Sequence, residues 1–511
     1  MTDTGTRTSA RVPEWARKVA EGLGPGPHVV VSGISVSGNI HAGNLREVLV
    51  AEAVADALRE RGDEVRFVFH ADTIDPLRKI APGIPASYEE YIGHSLSRVP
   101  DPEGCHASYA EHFLAPFEEA LREMEMQIEV LRSHALYEGG VYTDVTRESL
   151  EHTDELRGIL QDITKRKMPE HWSPFLPRTT NGRLGGRILE HVPDQTSVVF
   201  ADEDGFEEAA DYSKGEGKLG WRVELAARWK ALGVTFEPFG KDHTSRGGST
   251  DTADRMAREV FRYPVPGRYE YEWIGLKGQG DMSSSRGIVL LPRDLLRIMP
   301  PDAVRRIILG RDPARRFDLD LGAGFPRFMD EYRGRDENAL VPFAHLATIA
   351  QAVNGNVDRA SQVLEEGGYR NDTSDRETLT KYLTYAQNWV EKWAPESYRV
   401  KLLSLPDAKE AAKSLDQRQL AYLDEIAFRL NNLVGPGLSQ DGDVIQNVLY
   451  NTSNEMGLSP RKAFAAIYTV LIGRNNGPKA GPYIAQISTL LAARHFLRTY
   501  RDDVFRQGLE Y

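Results

Sequence analysis

Residues 29–44 have the sequence VVVSGISVSGNIHAGN. The β-branched run at its start predicts a buried strand, and the glycines and serines that follow predict a tight loop. Apolar residues then recur at helical spacing as far as Gly62, so the loop leads into a helix. The start of this helix brings backbone N–H groups together with the side chains of His41 and Asn44, which suits a nucleotide phosphate. An ordinary turn between a strand and a helix is the alternative on this segment alone.

The next strand is predicted over residues 64–70. A strand, a helix and a second strand at this spacing predict a parallel sheet with a right-handed crossover, whose ligands bind beyond the carboxyl ends of the strands. The first loop has no Gly-x-Gly-x-x-Gly pattern, no P-loop ending and no complete Gly-x-Ser-x-Gly elbow. The segment therefore does not match the usual dinucleotide, P-loop or hydrolase sites.

A second segment, residues 273–287, has the sequence WIGLKGQGDMSSSRG. Three consecutive serines lie between glycines and are flanked by Lys277 and Arg286, so the segment offers several hydroxyl donors and two cations. Such a loop can close over a triphosphate. Because runs of glycine and serine are flexible in general, a mobile surface loop is the alternative.

These two segments together resemble a known family. Residues 41–44, HAGN, resemble the first signature of the class I aminoacyl-tRNA synthetases, and residues 281–285, DMSSS, resemble the second. Over nearly its whole length the chain is most similar to the class I, archaeal-type lysyl-tRNA synthetases. The supporting segments are residues 32–35, 75–79, 221–224, 237–243, 271–274, 467–473 and 477–478.

The resemblance implies an α/β fold: a Rossmann-type parallel-sheet catalytic domain with an insertion, followed by an all-helical C-terminal region that binds the anticodon. The implied domains are the first half of the catalytic domain (1–99), an insertion that contacts the tRNA acceptor end (100–215), the second half with the serine segment (216–294), a helical region that contacts the tRNA stem (295–350), and an α-helix cage (351–511).

The resemblance also assigns site residues. The catalytic group is His41, Asn44, Ser283, Ser284, Ser285 and Arg286. The ATP-binding group is Gly38, His41, Gly43, Asn44, Lys277, Asp281, Met282, Ser283, Ser284 and Ser285. Because the compact charge of a lysine ammonium calls for carboxylates and polar neighbours around an aliphatic slot, the amino-acid-binding group is Gly33, Ser35, Trp221, Glu224, Asp242, His243 and Tyr271.

The implied reaction uses ATP and Mg²⁺ to activate lysine as lysyl-adenylate and transfers it to tRNA(Lys). A formal charge of −12 still leaves room for local basic patches that bind RNA. The single cysteine, Cys105, suits a reducing cytoplasm, and the sequence has no apolar run long enough to span a membrane. We expect a cytoplasmic protein that is a monomer.

The sequence departs from the family pattern at several positions. Asp281 stands where the second signature usually has lysine, Ala42 replaces an isoleucine, and Glu224-Leu225 replaces Asp-Trp. The insertion lacks the cysteines of the zinc knuckle common in the family, so we expect no structural zinc. Three hypotheses follow: a lysyl-tRNA synthetase, a paralogue that activates a lysine-like amino acid for a biosynthetic pathway, or an inactive tRNA-binding regulator.

Overall fold

The computed structural model describes residues 12–282, 290–310, 312–334, 341–353, 355–366, 375–399, 402–433, 441–477, 480–487, 492–493 and 495–496. The chain divides into two compact units. The first consists of Met1–Leu296 and Val304–Leu319, and the second of Arg297–Ala303 and Asp320–Tyr511. No helix in the described ranges is both long enough and apolar enough to cross a membrane.

All strands of the described residues lie in the first unit. They are β1 (His28–Ser35), β2 (Val65–Asp72), β3 (Glu129–Arg132), β4 (Phe175–Pro177), β5 (Arg187–Val192), β6 (Ser197–Ala201), β7 (Glu207–Asp211), β8 (Gly217–Leu219), β9 (Phe236–Gly240), β10 (Gly267–Tyr271), β11 (Ile274–Leu276), β12 (Gly280–Asp281) and β13 (Phe317–Leu319).

The first unit contains these helices: α1 (Glu14–Gly22), α2 (Ala42–Arg61), α3 (Tyr109–Glu123), α4 (Ser133–Glu138), α5 (Thr143–Glu151), α6 (Thr153–Thr164), α7 (Trp221–Leu232), α8 (Lys241–Thr244), α9 (Ser249–Glu259) and α10 (Pro292–Leu296). Helix α11 (Pro301–Leu309) contains residues assigned to both units.

The main sheet has the strand order β10-β9-β1-β2-β3, and every neighbouring pair is parallel. The chain order reverses at β1, which lies between β9 and β2, so a crevice forms beyond the carboxyl ends of these strands. The predicted β1–α2–β2 unit is confirmed: Val30 and Val31 are buried, and α2 ends at Gly62, whose φ of 96° few other residues adopt.

Two short strands lie where the sequence signal predicts no strand. Strand β3 belongs to the main sheet through its pairing with β2, so the first half of that sheet continues past residue 99. Strand β13 pairs with β11, so the region after residue 295 is not purely helical. Both strands are short and partly exposed, which removes the apolar alternation by which a sequence reveals a strand.

Residues 187–211 form a separate antiparallel sheet with the order β5-β6-β7, which lies within the predicted insertion. Strands β4 and β8, which precede and follow this sheet along the chain, pair with each other in antiparallel orientation. Helix α7 begins at Trp221, directly after β8 and Gly220.

The described part of the second unit is helical, as predicted. Its helices are α12 (Phe325–Arg333), α13 (Phe343–Ala352), α14 (Val357–Glu366), α15 (Arg376–Lys392), α16 (Leu405–Ala412), α17 (Gln417–Asn432), α18 (Gly442–Glu455), α19 (Pro460–Ile472) and α20 (Ala480–Ile487). The apolar faces of these helices form the core: Trp389 of α15 is fully buried, and Leu423 and Ile426 of α17 pack with Ile467 of α19.

A buried ion cluster lies next to the carboxyl end of β2. The Lys218 ammonium pairs with Asp75 and lies 2.6 Å from Glu224 Oε2, and the Tyr137 hydroxyl donates to Glu224 Oε1 at 3.1 Å. Burial alone would lower the pKa of Lys218, but the carboxylates of Asp75, Glu224 and Asp72 raise it above its ordinary value. The ammonium is therefore charged and neutralises the carboxylates around it.

Replacement of this lysine tests the cluster. We expect Lys218→Met to lower the free energy of unfolding of the first unit by about 3–5 kcal/mol, because it leaves buried carboxylates without a counter-ion. Lys214→Met is the matched control, since Lys214 pairs with Asp211 at the surface and its loss should cost less than about 1 kcal/mol. Urea unfolding measures both, and equal effects would contradict the assignment.

Candidate active site

The first residue of the site is His41, which precedes α2 and caps it. The Asn44 backbone N–H donates to His41 Nδ1 at 3.3 Å, and the His41 backbone N–H donates to Asn44 Oδ1 at 3.2 Å. Burial lowers the pKa of His41 to about 4, so the imidazole is neutral at physiological pH. Because Nδ1 accepts a hydrogen bond, the ring proton is on Nε2. His41 therefore offers an N–H donor beside the N-terminus of α2, where an anion is stabilised.

Gly43 is required by the packing of that ring. A Cβ atom on Gly43 would lie 2.9 Å from both Cε1 and Nδ1 of His41, which is too close for any side chain. The same Cβ would lie 4.0 Å from Cβ of Met282. The glycine thus allows the imidazole to fold over the first turn of the helix and lets the distant segment approach it.

The described residues on either side of the three serines reach this turn. Met282 lies beside Gly43, and the Ala42 backbone N–H donates to the Leu290 carbonyl at 2.7 Å. The predicted ATP-binding residues Ser283, Ser284, Ser285 and Arg286 lie between these two anchors and outside the described residues. The two segments that the sequence paired are therefore neighbours at their described ends.

Asp281, which stands in place of the usual lysine, forms an ion pair with Arg316. Arg316 Nη2 lies 2.7 Å from Asp281 Oδ1 and 3.3 Å from Asp318 Oδ1. The side chains of Arg316 and Asp318 pass close over Gly275 of β11. A Cβ on Gly275 would lie 2.2 Å from Asp318 Oδ1 and 3.1 Å from Arg316 Nη2. The negative charge at position 281 is thus neutralised within the sheet β12-β11-β13. The second predicted cation of this region, Lys277, is exposed.

A carboxylate that the sequence analysis missed lies on the other side of the turn. Glu47 Oε1 accepts the Gly33 backbone N–H at 2.9 Å, and Glu47 Oε2 accepts the Tyr271 hydroxyl at 2.6 Å. Burial raises the pKa of Glu47 to about 7. Glu47 follows His41 by less than two turns of α2, so one helix carries both a donor for an anion and a carboxylate for a cation.

The remaining predicted amino-acid residues surround the end of β9. A Cβ on Gly240 would lie 2.7 Å from Asp242 Oδ1 and 3.5 Å from the Tyr271 hydroxyl oxygen. His243 Nδ1 shares a hydrogen bond with Ser249 Oγ at 2.8 Å, and its ring is 5.9 Å from the ring of Trp221. Asp242, His243, Trp221 and Tyr271 therefore form one group. Two other predicted residues belong to β1: Gly33 lies within it and Ser35, which is exposed, ends it.

Glu224, a predicted amino-acid-binding residue, lies in the buried ion cluster. Its side chain is fully buried and its two oxygens are bound to Lys218 and Tyr137. Glu224 lies in the first turn of α7, and Lys218 of the neighbouring strand β8 lies against it. The available carboxylates are those of Glu47 and Asp242. Arg46 and Glu47 together interrupt the apolar pattern of α2, and this was the signal in the sequence for a functional position.

Four side chains near the start of α3 form a candidate metal-binding group: Asp101, Cys105, His106 and His112. Their ligand atoms all lie within 4.8 Å of one another. Asp101 Oδ1 is 3.0 Å from His112 Nδ1, and Cys105 Sγ is 2.9 Å from His106 Nδ1. Burial alone would raise the pKa of Asp101, but hydrogen bonds, including those from the Glu103 and His106 backbone N–H groups and the Cys105 thiol, lower it to about 2.

A carboxylate, a thiolate and two imidazoles are a donor set that suits tetrahedral Zn²⁺. The expectation that the chain has no structural zinc relied on the lack of several cysteines. In the candidate group Asp101, His106 and His112 would supply the other donors beside this one cysteine. These ligands follow no knuckle spacing, so the sequence pattern did not reveal them.

Comparisons with known proteins identify the relatives of this chain. A family model described as tRNA synthetases class I (K) matches residues 11–357. The lysine--tRNA ligase of Archaeoglobus fulgidus is 38% identical over 491 residues, which cover 93% of this chain and 97% of that protein. The lysine--tRNA ligase of Methanosarcina barkeri is 34% identical over 526 residues, covering 94% of this chain and 97% of that protein.

Among solved structures, the chain is similar to a glutamate tRNA ligase from Elizabethkingia meningosepticum in complex with its amino acid. The TM-score is 0.44 at 13% identity, and the match covers 92% of this chain and 99% of that chain.

Metal analysis tests the ligand group near α3. We expect the purified protein, after exposure to Zn²⁺ and desalting, to retain about one zinc ion per chain. Cys105→Ser and His112→Gln should each lose most of this zinc, because either change removes one of four donors. His171→Gln, at an exposed histidine of the same region, is the control and should retain it. A wild-type protein that retains no zinc would contradict the assignment.

Proposed function

Since the chain belongs to the class I lysyl-tRNA synthetase family, we propose that it activates lysine with ATP as lysyl-adenylate and transfers the lysyl group to tRNA(Lys). The observation that carries the proposal is the pair of functional groups on α2. A neutral His41 with its N–H on Nε2 caps the helix, and the Glu47 carboxylate follows it on the same helix. We infer that both groups act on one aminoacyl-adenylate, His41 as a hydrogen-bond donor to phosphate and Glu47 as an acceptor for an ammonium group.

The first step joins the lysine carboxylate to the α-phosphorus of ATP and releases pyrophosphate. A carboxylate oxygen forms the new P–O bond while the bond to the bridging oxygen of pyrophosphate breaks, so no proton is transferred. Catalysis of such a step is mainly positioning and charge stabilisation. His41 Nε2–H and the N-terminus of α2 would hold phosphate oxygens, and ATP would enter as its Mg²⁺ complex. In the second step the ribose 2′ hydroxyl at the tRNA 3′ end takes the lysyl group and AMP leaves.

Selection of lysine would depend on two carboxylates near Tyr271, those of Glu47 and Asp242. Glu47 and its hydrogen-bond partner Tyr271 would accept an ammonium group of lysine, with Asp242 as a second carboxylate at Gly240. A neutral analogue would leave the Glu47 carboxylate without a counter-ion, which is a large penalty in a buried site. Trp221 and His243 would form the wall along the aliphatic chain.

We further propose roles for the other parts of the chain, in line with the family. Residues 100–215 would contact the acceptor end of the tRNA, residues 295–350 its stem, and residues 351–511 its anticodon. The serine segment would close over the pyrophosphate end of ATP, with Arg286 as its cation. We expect the enzyme to work in the cytoplasm as a monomer.

Pyrophosphate exchange with a panel of amino acids tests the proposal. Labelled pyrophosphate should enter ATP in the presence of lysine, and exchange with arginine, ornithine and neutral analogues should be far slower. Charging of lysine tRNA should follow. Exchange with another amino acid but not with lysine would indicate the biosynthetic paralogue, and tRNA binding without exchange with any amino acid would indicate the inactive regulator. Either result would overturn the proposal.

The pKa of Glu47 predicts a pH dependence. Below pH 7 its carboxyl is increasingly protonated and cannot neutralise an ammonium, so KM for lysine should rise as the pH falls through 7. Glu47→Gln should raise KM for lysine by about 10- to 100-fold and remove this dependence. Glu60→Gln, on the same helix at an exposed pair with Arg17, is the control. A KM that stays flat between pH 6 and 8 in the wild type would contradict the role.

The packing of His41 predicts the effect of a single methyl group. Gly43→Ala should displace the imidazole and lower kcat/KM for ATP by about 10-fold or more, since a misplaced catalytic group is costly. Loss of the cap should also remove about 1 kcal/mol of stability. Gly158→Ala is the matched control, because Gly158 lies in α6 with no atom within 4 Å of the added Cβ. Exchange kinetics that do not differ between the two variants would contradict the packing argument.

A further inference from the structure

A buried tyrosine contacts the loop that leads to His41. Tyr109 is completely inaccessible to solvent, and its hydroxyl donates to the Ser37 carbonyl at 3.2 Å. Ser37 lies in the loop between β1 and α2, shortly before the histidine that caps α2. Tyr109 is not part of the sheet, so this hydrogen bond links a separate helix to the nucleotide-binding turn.

The same tyrosine belongs to the helical turn that carries a predicted zinc ligand. Tyr109 is the first residue of α3, and Ser108 precedes the helix and caps it through the Glu111 backbone N–H at 3.3 Å. His112 lies three residues after Tyr109, on the same face of the helix. The Tyr109 backbone N–H donates to the Val99 carbonyl at 2.8 Å. The position of the hydroxyl therefore depends on how firmly this first turn is held.

The candidate zinc ligands hold that turn to the preceding loop. Asp101, Cys105 and His106 lie in the loop, whereas His112 lies in α3. The contacts that join the loop to His112 include a polar contact with Asp101 at 3.0 Å, a weaker one between Cys105 Sγ and His112 Nδ1 at 3.5 Å, and an edge-on contact between the rings of His106 and His112. Metal–ligand bonds would replace these contacts with one fixed geometry and bind the helix end to the loop.

We propose that Tyr109 is a positioning residue that couples the metal-ligand group to the nucleotide-binding turn: an ordered first turn of α3 holds the Ser37 carbonyl, and with it the loop that places His41. The centroid of the Tyr109 ring also lies 4.8 Å from that of Phe113 and 6.3 Å from that of Tyr88. Phenylalanine preserves these ring contacts, so Tyr109→Phe removes the hydroxyl alone. The inference rests on the proposed function only in taking ATP as the ligand of the turn.

Steady-state kinetics provide the first test. In the zinc-loaded protein Tyr109→Phe should raise KM for ATP by about three- to tenfold, the effect of one lost hydrogen bond. KM for lysine and kcat should stay within twofold of wild type, and the zinc content should not change. Tyr263→Phe is the matched control, because the Tyr263 hydroxyl donates to the Val234 carbonyl at 2.9 Å, outside the turn. Equal KM values for ATP in the two variants would overturn the proposal.

Hydrogen exchange provides a second test that needs no activity. Removal of zinc from the wild type should increase amide exchange in residues 36–44, and in Tyr109→Phe this exchange should already be raised and should not increase further. Additive effects of the two changes would overturn the coupling, and so would an increase that extends equally to β6, since the metal would then support the fold as a whole. A protein that lacks lysine-dependent exchange but shows this pattern would contradict the proposed function and not the coupling.

Discussion

The reciprocal cap between His41 and Asn44 is the constraint on which the site depends. It satisfies two backbone N–H groups at the start of α2, fixes the imidazole as the Nε2–H tautomer and requires glycine at position 43. Because the ring is buried and neutral, it contributes a directed hydrogen bond rather than a charge. The positive potential at this point therefore comes from the helix itself. The segment from Met282 to Leu290 returns to the same turn, so the geometry of the cap also sets where that segment begins and ends.

The carboxylates of the first unit serve two different purposes. Glu224 neutralises the internal Lys218, and Glu237 accepts a 2.5 Å hydrogen bond from Arg228. Both carboxylates are therefore paired with cations of the protein itself. Glu47 accepts hydrogen bonds from two neutral donors, a backbone N–H and a phenol, and burial raises its pKa. A buried carboxylate without a counter-ion is costly, and a bound ammonium group would remove that cost. The departure at Asp281 fits the same division, since Arg316 neutralises it.

The sequence predicted the parts of the molecule whose signals are local. The strand, loop and helix of residues 28–61 followed directly from periodicity, and the helical C-terminal region followed from the resemblance. The group of Asp242, His243 and Tyr271 followed from the resemblance. The ion pair of Glu224 with Lys218 could not be predicted, because the partner of a buried charge is set by tertiary packing against β8. The candidate metal-ligand group has no recognisable spacing, because its donors combine Asp101 with a single cysteine, and β3 was missed because it is short and partly exposed.

A crystal structure with a non-hydrolysable lysyl-adenylate analogue tests the central claim most directly. We expect a phosphate oxygen of the bound analogue within about 3 Å of His41 Nε2 and its lysine ammonium within about 3 Å of a Glu47 oxygen. An analogue bound away from the N-terminus of α2, or an ammonium held by other carboxylates while Glu47 keeps only its contacts to Gly33 and Tyr271, would contradict it.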